Sequence, residues 1–121
     1  MARNALRERF ARRETAYGLW VSLESPTVTE IAAALGLAWV CVDTEHGHLG
    51  FEHLINHMRA VRGSPTTVLV RVPELGQGVI KRVLDIGAHG VIVPLVRSRR
   101  DVETAMSYGR YPPAGVRSVG G

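Results

Sequence analysis

The sequence has little that would cross-link it or carry it into a membrane. It contains one cysteine, Cys41, so an intrachain disulfide is excluded and a reducing, cytoplasmic location is expected. The longest stretch without a charged residue, Ile31–Val42, is far shorter than the roughly 20 residues that cross a bilayer. The first residues carry Arg and Glu and no apolar run, so we expect no secretory signal and no membrane association.

Lysine is almost absent, because Lys81 is the only lysine beside 14 arginines, and the formal net charge is +4. Five of the arginines crowd the first 13 residues, which makes nucleic acid a partner to consider. Glu8 and Glu14 interrupt this run, and Leu6 with Phe10 forms an apolar i,i+4 pair. We therefore predict a surface helix over residues 3–13 and no nucleic-acid partner.

No linker or low-complexity stretch divides the chain, so a single domain over residues 1–121 is expected. Short β-type runs alternate with helical stretches, which predicts βα units and a parallel sheet. The predicted strands are Tyr17–Leu23, Trp39–Asp43, Thr67–Val72 and Gly90–Leu95. The predicted helices run from Ser25-Pro26 to about Leu35 and over Phe51–Val61, Gln77–Ile86 and Arg99–Gly109. The four units span about residues 17–36, 38–63, 67–87 and 90–109, and a loop follows over 110–121.

Several local signals fix the ends of these helices. Ser25 reads as an N-cap before Pro26, with Thr27 and Glu30 in capping-box spacing. Gly36 and Gly87 suit left-handed C-terminal caps.

Four βα units are half of the eight that close a (β/α)8 barrel. The predicted fold class is therefore α/β, the first four units of such a barrel behind one N-terminal helix. A doubly wound open sheet is the rival architecture. The first βα junction lacks the G-x-G-x-x-G loop that such sheets use for dinucleotides, and Gly76 with Gly78 is the nearest approach.

Polar residues at the carboxyl ends of barrel strands are the ones expected to act, because those ends meet at one mouth. The segment 43–48, Asp-Thr-Glu-His-Gly-His, follows the second predicted strand, and Arg71 ends the third. Each residue also has a structural interpretation, in which Asp43 caps the turn, Glu45 is solvated, and Arg71 pairs with Glu45 or Glu74. His46 and Arg71 are the stronger functional candidates.

The remaining histidines carry weaker signals. His53 and His57 are four apart on a helix, the spacing of a two-histidine metal site. Around the helix, both histidines fall outside the face that carries Leu54 and Met58, so we expect both to be exposed surface residues. His48 is a weaker candidate than His46, His89 is expected to have no role, and burial is the default for Cys41.

The strings GLWVSLESP, VCVDTEHGHLGFEHL, VLVRVPE, VLDIGAHGVIVPLV and YPPAGVRSVG resemble, in this order, the HpcH/HpaI aldolase family. That resemblance covers the chain from Tyr17 onward. It implies a metal-dependent (class II) pyruvate aldolase with a (β/α)8 barrel, usually a hexamer, of which this chain is the N-terminal half.

The resemblance also implies roles for individual residues. His46 corresponds to the general base and acid that acts on the aldol hydroxyl, and Arg71 to the arginine that binds the C2 oxygen of pyruvate. Asp43 and Glu45 would support them, with Asp43 orienting His46 or a metal-bound water. Asp85 corresponds to an aspartate that partners the catalytic histidine. Because Asp85 lies at the far end of the barrel, this pairing would need a neighbouring subunit.

The expected cofactor is Mg²⁺ or Mn²⁺, and the expected substrate is a 4-hydroxy-2-oxo acid that yields pyruvate and an aldehyde. The family's metal-binding Glu and Asp lie beyond Gly121, so no metal ligand is expected within this chain. Lys81 falls mid-helix, which disfavours a Schiff-base mechanism. The alternative is a non-catalytic half-barrel that serves only in assembly. In either case a homo-oligomer or a complementary half-barrel is the expected partner.

Overall fold

The computed structural model describes residues 4–120. Five helices and four strands alternate along this part of the chain. In chain order they are α1 (Ala5–Ala11), β1 (Gly18–Val21), α2 (Pro26–Ala34), β2 (Trp39–Asp43), α3 (Phe51–Ala60), β3 (Thr67–Arg71), α4 (Gln77–Ile86), β4 (Gly90–Ile92) and α5 (Arg99–Gly109).

The four strands form one parallel sheet in the order β1-β2-β3-β4. One face of this sheet is a layer of valines, which pack against the helices as the hydrophobic core. Val40, Val42, Val68 and Val70 are completely buried there. β-branched residues suit strands because their stiff side chains pack well on a pleated surface.

The opposite face of the sheet carries a different set of residues. Strand register places Trp20 beside Cys41 and Leu69, and Asp43 beside Arg71 and Ile92. Side chains alternate along a strand, so these residues share the face that the helices do not cover. In a closed barrel this would be the inner face, and Asp43 and Arg71 would lie at its mouth.

The sequential strand order and the helices gathered on one face distinguish the two predicted architectures. A doubly wound sheet has helices on both faces and a point where the strand order reverses, and the described residues show neither. The prediction of a partial (β/α)8 barrel is confirmed.

Sequence signals placed most helix ends correctly. Gly36 and Gly87 adopt left-handed backbone angles after α2 and α4, with φ of +75° and +112°. Ser98 caps α5 by accepting a hydrogen bond from the backbone N–H of Asp101. Ser25 is the N-cap of α2 and Pro26 follows it at the start of the helix, as predicted, but the Ser25 side chain makes no capping hydrogen bond.

Several elements are shorter than predicted, and strand β1 covers Gly18–Val21 rather than Tyr17–Leu23. Strand β4 ends at Ile92 rather than Leu95, because Pro94 has no N–H to pair and Leu95 turns into the left-handed region at φ +55°. Helix α1 covers Ala5–Ala11, while the first predicted helical residue, Arg3, lies outside the described residues. Leu6 of α1 is buried, whereas Phe10 stays 61% exposed.

Between residues 4 and 120, none of the helices has both the length and the apolar character that a bilayer crossing requires.

Candidate active site

The carboxyl ends of β2 and β3 bring Asp43 and Arg71 side by side. The two residues are register partners on the helix-free face of the sheet. Arg71 Nε lies 2.9 Å from Asp43 Oδ1, and Arg71 Nη2 contacts Asp43 Oδ2, so the pair is bidentate. This fork geometry is the strongest arrangement that arginine and a carboxylate form.

Both oxygens of the Asp43 carboxylate accept more than one hydrogen bond. Its Oδ1 also accepts the backbone N–H of Glu45 at 3.0 Å and that of His46 at 3.2 Å. Its Oδ2 also accepts the indole N–H of Trp20 at 3.1 Å. The Arg71 guanidinium, with these other donors, holds the pKa of Asp43 far below its usual range. Asp43 is therefore charged at neutral pH, and N–H donors occupy both of its oxygens.

Glu45 adds a second negative charge beside Arg71. Its Oε2 lies 3.0 Å from Arg71 Nη1, and only 15% of the Glu45 side chain is exposed. The sequence left open whether Arg71 pairs with Glu45 or Glu74, and the contact found is with Glu45. Arg71 thus donates two of its five N–H groups to Asp43, and its contact with Glu45 is an ion pair in which Glu45 Oε2 accepts no hydrogen bond. Among residues 4–120, the remaining N–H groups of Arg71 donate no hydrogen bond.

His46 lies at the rim of this cluster, in the loop between β2 and α3. Its imidazole is 73% exposed, and its Nε2 lies 3.8 Å from Glu45 Oε1. Asp43 holds the backbone of His46 through its N–H but contacts no ring atom by hydrogen bond. The support that Asp43 gives to His46 therefore acts on the loop and leaves the ring free to turn toward a ligand.

Trp20 belongs to this cluster, although sequence reasoning did not select it. Besides its hydrogen bond to Asp43, its ring lies under the Arg71 guanidinium, 5.1 Å from the ring centroid. The side chain is 44% exposed, which is unusual for tryptophan in a sheet. The only sequence signal for it was an aromatic residue on the first strand, in phase with the face that carries the polar residues.

Asp85 lies away from these residues, at the opposite end of the sheet. It sits in the last turn of α4, which leads to the amino end of β4, whereas His46 follows the carboxyl end of β2. Its Oδ1 accepts a hydrogen bond from Arg117 Nη2 at 2.7 Å, and the Arg117 guanidinium stacks on Tyr111. Within one chain, Asp85 is not brought together with His46.

The prediction that His57 is an exposed surface residue is wrong. His57 is completely buried, and its Nδ1 lies 2.7 Å from Thr29 Oγ1 of the neighbouring helix α2. A helix in this layer packs against the next helix as well as the sheet, so its buried arc is wider than the Leu54 and Met58 stripe. His53 is partly exposed, and its Nδ1 accepts the Gly50 N–H at the start of α3.

The other two histidines lie on the surface. His48 is exposed in the same loop as His46. His89 accepts the Val68 N–H through its Nδ1 and so ties two strands together at their amino ends.

The described residues do not form a metal site. No group of three or more His, Cys, Asp or Glu side chains in residues 4–120 is placed to hold an ion. Hard cations need several oxygen ligands. Asp43 is saturated by N–H donors, and Glu45 is paired with Arg71.

Comparison with known proteins gives a consistent result. The sequence model of the family described as HpcH/HpaI aldolase/citrate lyase matches residues 16–121. The 5-keto-4-deoxy-D-glucarate aldolase of Escherichia coli O139:H28 is 34% identical over 116 residues, which are 96% of this chain and 45% of that protein. The chain thus spans about half the length of the curated relatives it matches.

Two solved structures extend the likeness to three dimensions. An HpcH/HpaI aldolase/citrate lyase family protein from Burkholderia cenocepacia J2315 superimposes with a TM-score of 0.92 at 33% identity, covering 98% of this chain and 49% of that one. The citrate synthase SbnG superimposes with a TM-score of 0.88 at 36% identity, covering 97% of this chain and 48% of that one. On this evidence the chain belongs to the HpcH/HpaI aldolase/citrate lyase family.

Proposed function

We propose that this chain supplies part of the active site of a pyruvate aldolase. The substrate is a 4-hydroxy-2-oxo acid, of the 2-keto-3-deoxy sugar acid or dioate type, which is cleaved to pyruvate and an aldehyde. The observation that carries the proposal is the Arg71 guanidinium, which two hydrogen bonds to Asp43 and an ion pair with Glu45 hold at the carboxyl ends of the strands, while its other N–H groups make no hydrogen bond within residues 4–120.

Arg71 stabilises the charge that cleavage creates. When the bond between C3 and C4 breaks, its electron pair moves into the C2 carbonyl and leaves an enolate oxygen. The free N–H groups of Arg71 bind this oxygen and are already oriented, so no reorganisation is needed when the charge develops. The family relationship supports this role, because aldolases of this family break the same type of bond.

His46 moves the proton. In the cleavage direction its imidazole takes the proton of the C4 hydroxyl, which becomes the aldehyde carbonyl, and a proton then adds to C3 of the enolate to give pyruvate. An imidazole suits this exchange near neutral pH. Its 73% exposed ring can approach a substrate held by Arg71, and Glu45 at 3.8 Å stabilises the imidazolium that forms.

Asp85 takes part only if a second copy of the chain is present. In that case its carboxylate, held on one oxygen by Arg117, partners the His46 imidazole of the neighbouring copy. The exposed side chain of Asp85 supports this assignment.

A divalent ion, Mg²⁺ or Mn²⁺, is the cofactor that the family relationship favours. No group of His, Cys, Asp or Glu between residues 4 and 120 is placed to hold such an ion, so the proposal places its ligands outside these residues. The roles of Arg71 and His46 are therefore derived without it. Lys81, in the middle of α4, is not at the strand ends where a Schiff-base lysine would be needed.

The second candidate is a non-catalytic half-barrel that acts only in assembly. Two observations favour it: the chain covers 45% of its curated relative, and its described residues form no metal site. In both cases the cytoplasm is the proposed location, on the strength of the single buried, free Cys41.

Pyruvate release separates the two candidates. The chain, alone and mixed with a complementary half-barrel, is incubated with 4-hydroxy-2-oxo acids and Mg²⁺ or Mn²⁺, and pyruvate is measured. The Arg71→Ala variant should lower kcat by about two to three orders of magnitude, the usual loss for a donor to a developing oxyanion. The His46→Ala variant should lose activity in a pH-dependent way, and the matched His53→Ala variant should lose almost none. Full activity of Arg71→Ala would contradict the proposal.

A further inference from the structure

The Trp20 side chain makes its polar contacts within the cluster at the mouth of the sheet. It lies on the helix-free face of the edge strand β1, and it is 44% exposed. Its two polar interactions both go to the Asp43–Arg71 pair. The indole N–H donates to Asp43 Oδ2 at 3.1 Å, and the ring lies 5.1 Å from the guanidinium carbon.

These two contacts restrain different motions. The Asp43 carboxylate can rotate about its last side-chain torsion, which has only a broad preference. The backbone N–H groups of Glu45 and His46 fix Oδ1, whereas Oδ2 is fixed by the Trp20 indole and by Arg71 itself. Trp20 is thus the donor to Oδ2 that is independent of the arginine.

The ring contact restrains the guanidinium as well. A cation above the face of an indole is attracted by the negative face of the π system. Asp43 holds one edge of the guanidinium through two hydrogen bonds and the Trp20 ring contacts the same group, and together they restrict where the remaining N–H groups point. A reacting oxyanion is stabilised only by donors held within about half an ångström of the productive geometry.

We propose that Trp20 is a positioning residue that fixes the direction of the free N–H groups of Arg71 through Asp43 and through the guanidinium plane. The benefit of Trp20 to catalysis rests on the proposed function. The restraint that Trp20 places on Arg71 does not, and it can be measured in protein that is not turning over substrate. Trp20 needs no contact with the substrate to act in this way.

The test measures exchange of the Arg71 Nε–H with water by NMR in the ¹⁵N-labelled chain, with the resonance assigned from its loss in Arg71→Lys. In Trp20→Phe, which keeps a ring but loses the N–H, the Arg71 Nε–H should exchange about tenfold faster, the effect of weakening one charged hydrogen bond. The matched control is Trp39→Phe, because the Trp39 N–H donates to the Ala16 carbonyl instead. In that variant the Arg71 exchange rate should not change.

A second variant at position 20 keeps the shape of the side chain, so that faster exchange in it is not caused by misfolding. Placing 3-benzothienylalanine at position 20 replaces the indole N–H with sulfur and keeps the ring, so it should also speed the exchange. Unchanged exchange in both position-20 variants, or an equal change in Trp39→Phe, would overturn the proposal. In protein that cleaves the aldol, Trp20→Phe should lower kcat by about tenfold and leave KM nearly unchanged, because the loss falls on the transition state. An inactive parent protein would count against the proposed function alone, since the exchange rates would still decide the role of Trp20.

Discussion

Asp43 is the residue that joins three strands at the mouth of the sheet. It binds Trp20 of β1 and Arg71 of β3 while lying at the end of β2, and 4% of its side chain is exposed. Breaking a buried ion pair by neutralising one partner leaves the other charge without compensation. Asp43→Asn should therefore lower the free energy of unfolding by about 3 kcal/mol at pH 7.

The pH dependence of this loss has a definite sign. The pKa of Asp43 is lowered in the folded chain, so its stabilising effect is complete above the unfolded-state pKa of about 4 and is lost as the pH falls toward the folded-state value. In urea unfolding, the difference in the free energy of unfolding between Asp43→Asn and the parent chain should be smaller at pH 3.5 than at pH 7. The control Glu103→Gln, which breaks an exposed pair with Arg99, should cost less than about 0.5 kcal/mol. A difference in the free energy of unfolding that does not change with pH would show that the Asp43 charge does not stabilise this end of the sheet.

His57 makes stability depend on pH in a higher range. Burial, with a smaller effect of nearby His53, lowers the pKa of His57 in the folded chain, so the unfolded chain binds a proton more readily. Stability should be complete above about pH 6.5 and should fall as the pH drops below that value. The free energy of unfolding at pH 7.5 and pH 5.5 should differ less in His57→Gln than in the parent chain. His48→Gln, at an exposed histidine in the loop after β2, serves as the control and should keep the pH dependence of the parent chain. A pH dependence in His57→Gln equal to that of the parent would contradict the assignment.

At the scale of the elements, the loop between β2 and α3 depends on one glycine. A Cβ on Gly47 would lie 2.3 Å from the Asp43 carbonyl oxygen and 3.1 Å from that of Ser22. Gly47→Ala must therefore displace the loop that carries Glu45 and His46, at a cost of about 1–3 kcal/mol, as in other overpacked sites.

The matched control for Gly47 is Gly78 in helix α4. A Cβ on Gly78 would have no neighbour within 4 Å, and Gly78 lies in α4, where alanine is the better helix former. Gly78→Ala should leave stability unchanged or raise it by up to about 1 kcal/mol. Thermal melting of the two variants measures the contrast, and a Gly47→Ala chain as stable as Gly78→Ala would show that the loop has room to move.

Sequence patterns predicted the elements well because their signals are local. β2, α4 and α5 begin and end where glycine, proline and apolar periodicity indicated. Two contacts could not be predicted in this way, the pairing of Asp43 with Arg71 and the burial of His57 against Thr29. Each depends on how two segments about 28 residues apart align with one another. A single sequence indicates which residues share a strand face, but it does not indicate which side chain on the next strand completes a hydrogen bond. For this reason Trp20 was missed.

At the scale of the whole molecule, apolar side chains stay exposed at both ends of the layered structure. Beside edge strand β1, Ile31 of helix α2 and the C-cap residue Leu35 are exposed at 54% and 74%. Helix α5, which follows edge strand β4, leaves Val102 and Met106 exposed at 46% and 45%. Each pair has the i,i+4 spacing of a helix face that packs against another helix. These faces and the sheet edges between them are where further βα units would add.

The last prediction follows from these open faces. Strands β1 and β4 each have one neighbour in this chain, and an unpaired parallel edge is a template for further pairing. The helix-free face also exposes the Trp20 ring. We therefore expect the 121-residue chain to associate, either with a second copy or with a complementary half-barrel, rather than to persist as a monomer. Sedimentation equilibrium at low micromolar concentration should give a mass of at least twice 13.2 kDa.

Replacing both exposed pairs with charged residues should weaken the association by removing the apolar area that it buries. The substitutions are Ile31→Glu with Leu35→Lys and Val102→Glu with Met106→Lys. A monodisperse monomer of the parent chain with a cooperative melt would show instead that four units suffice for a stable fold.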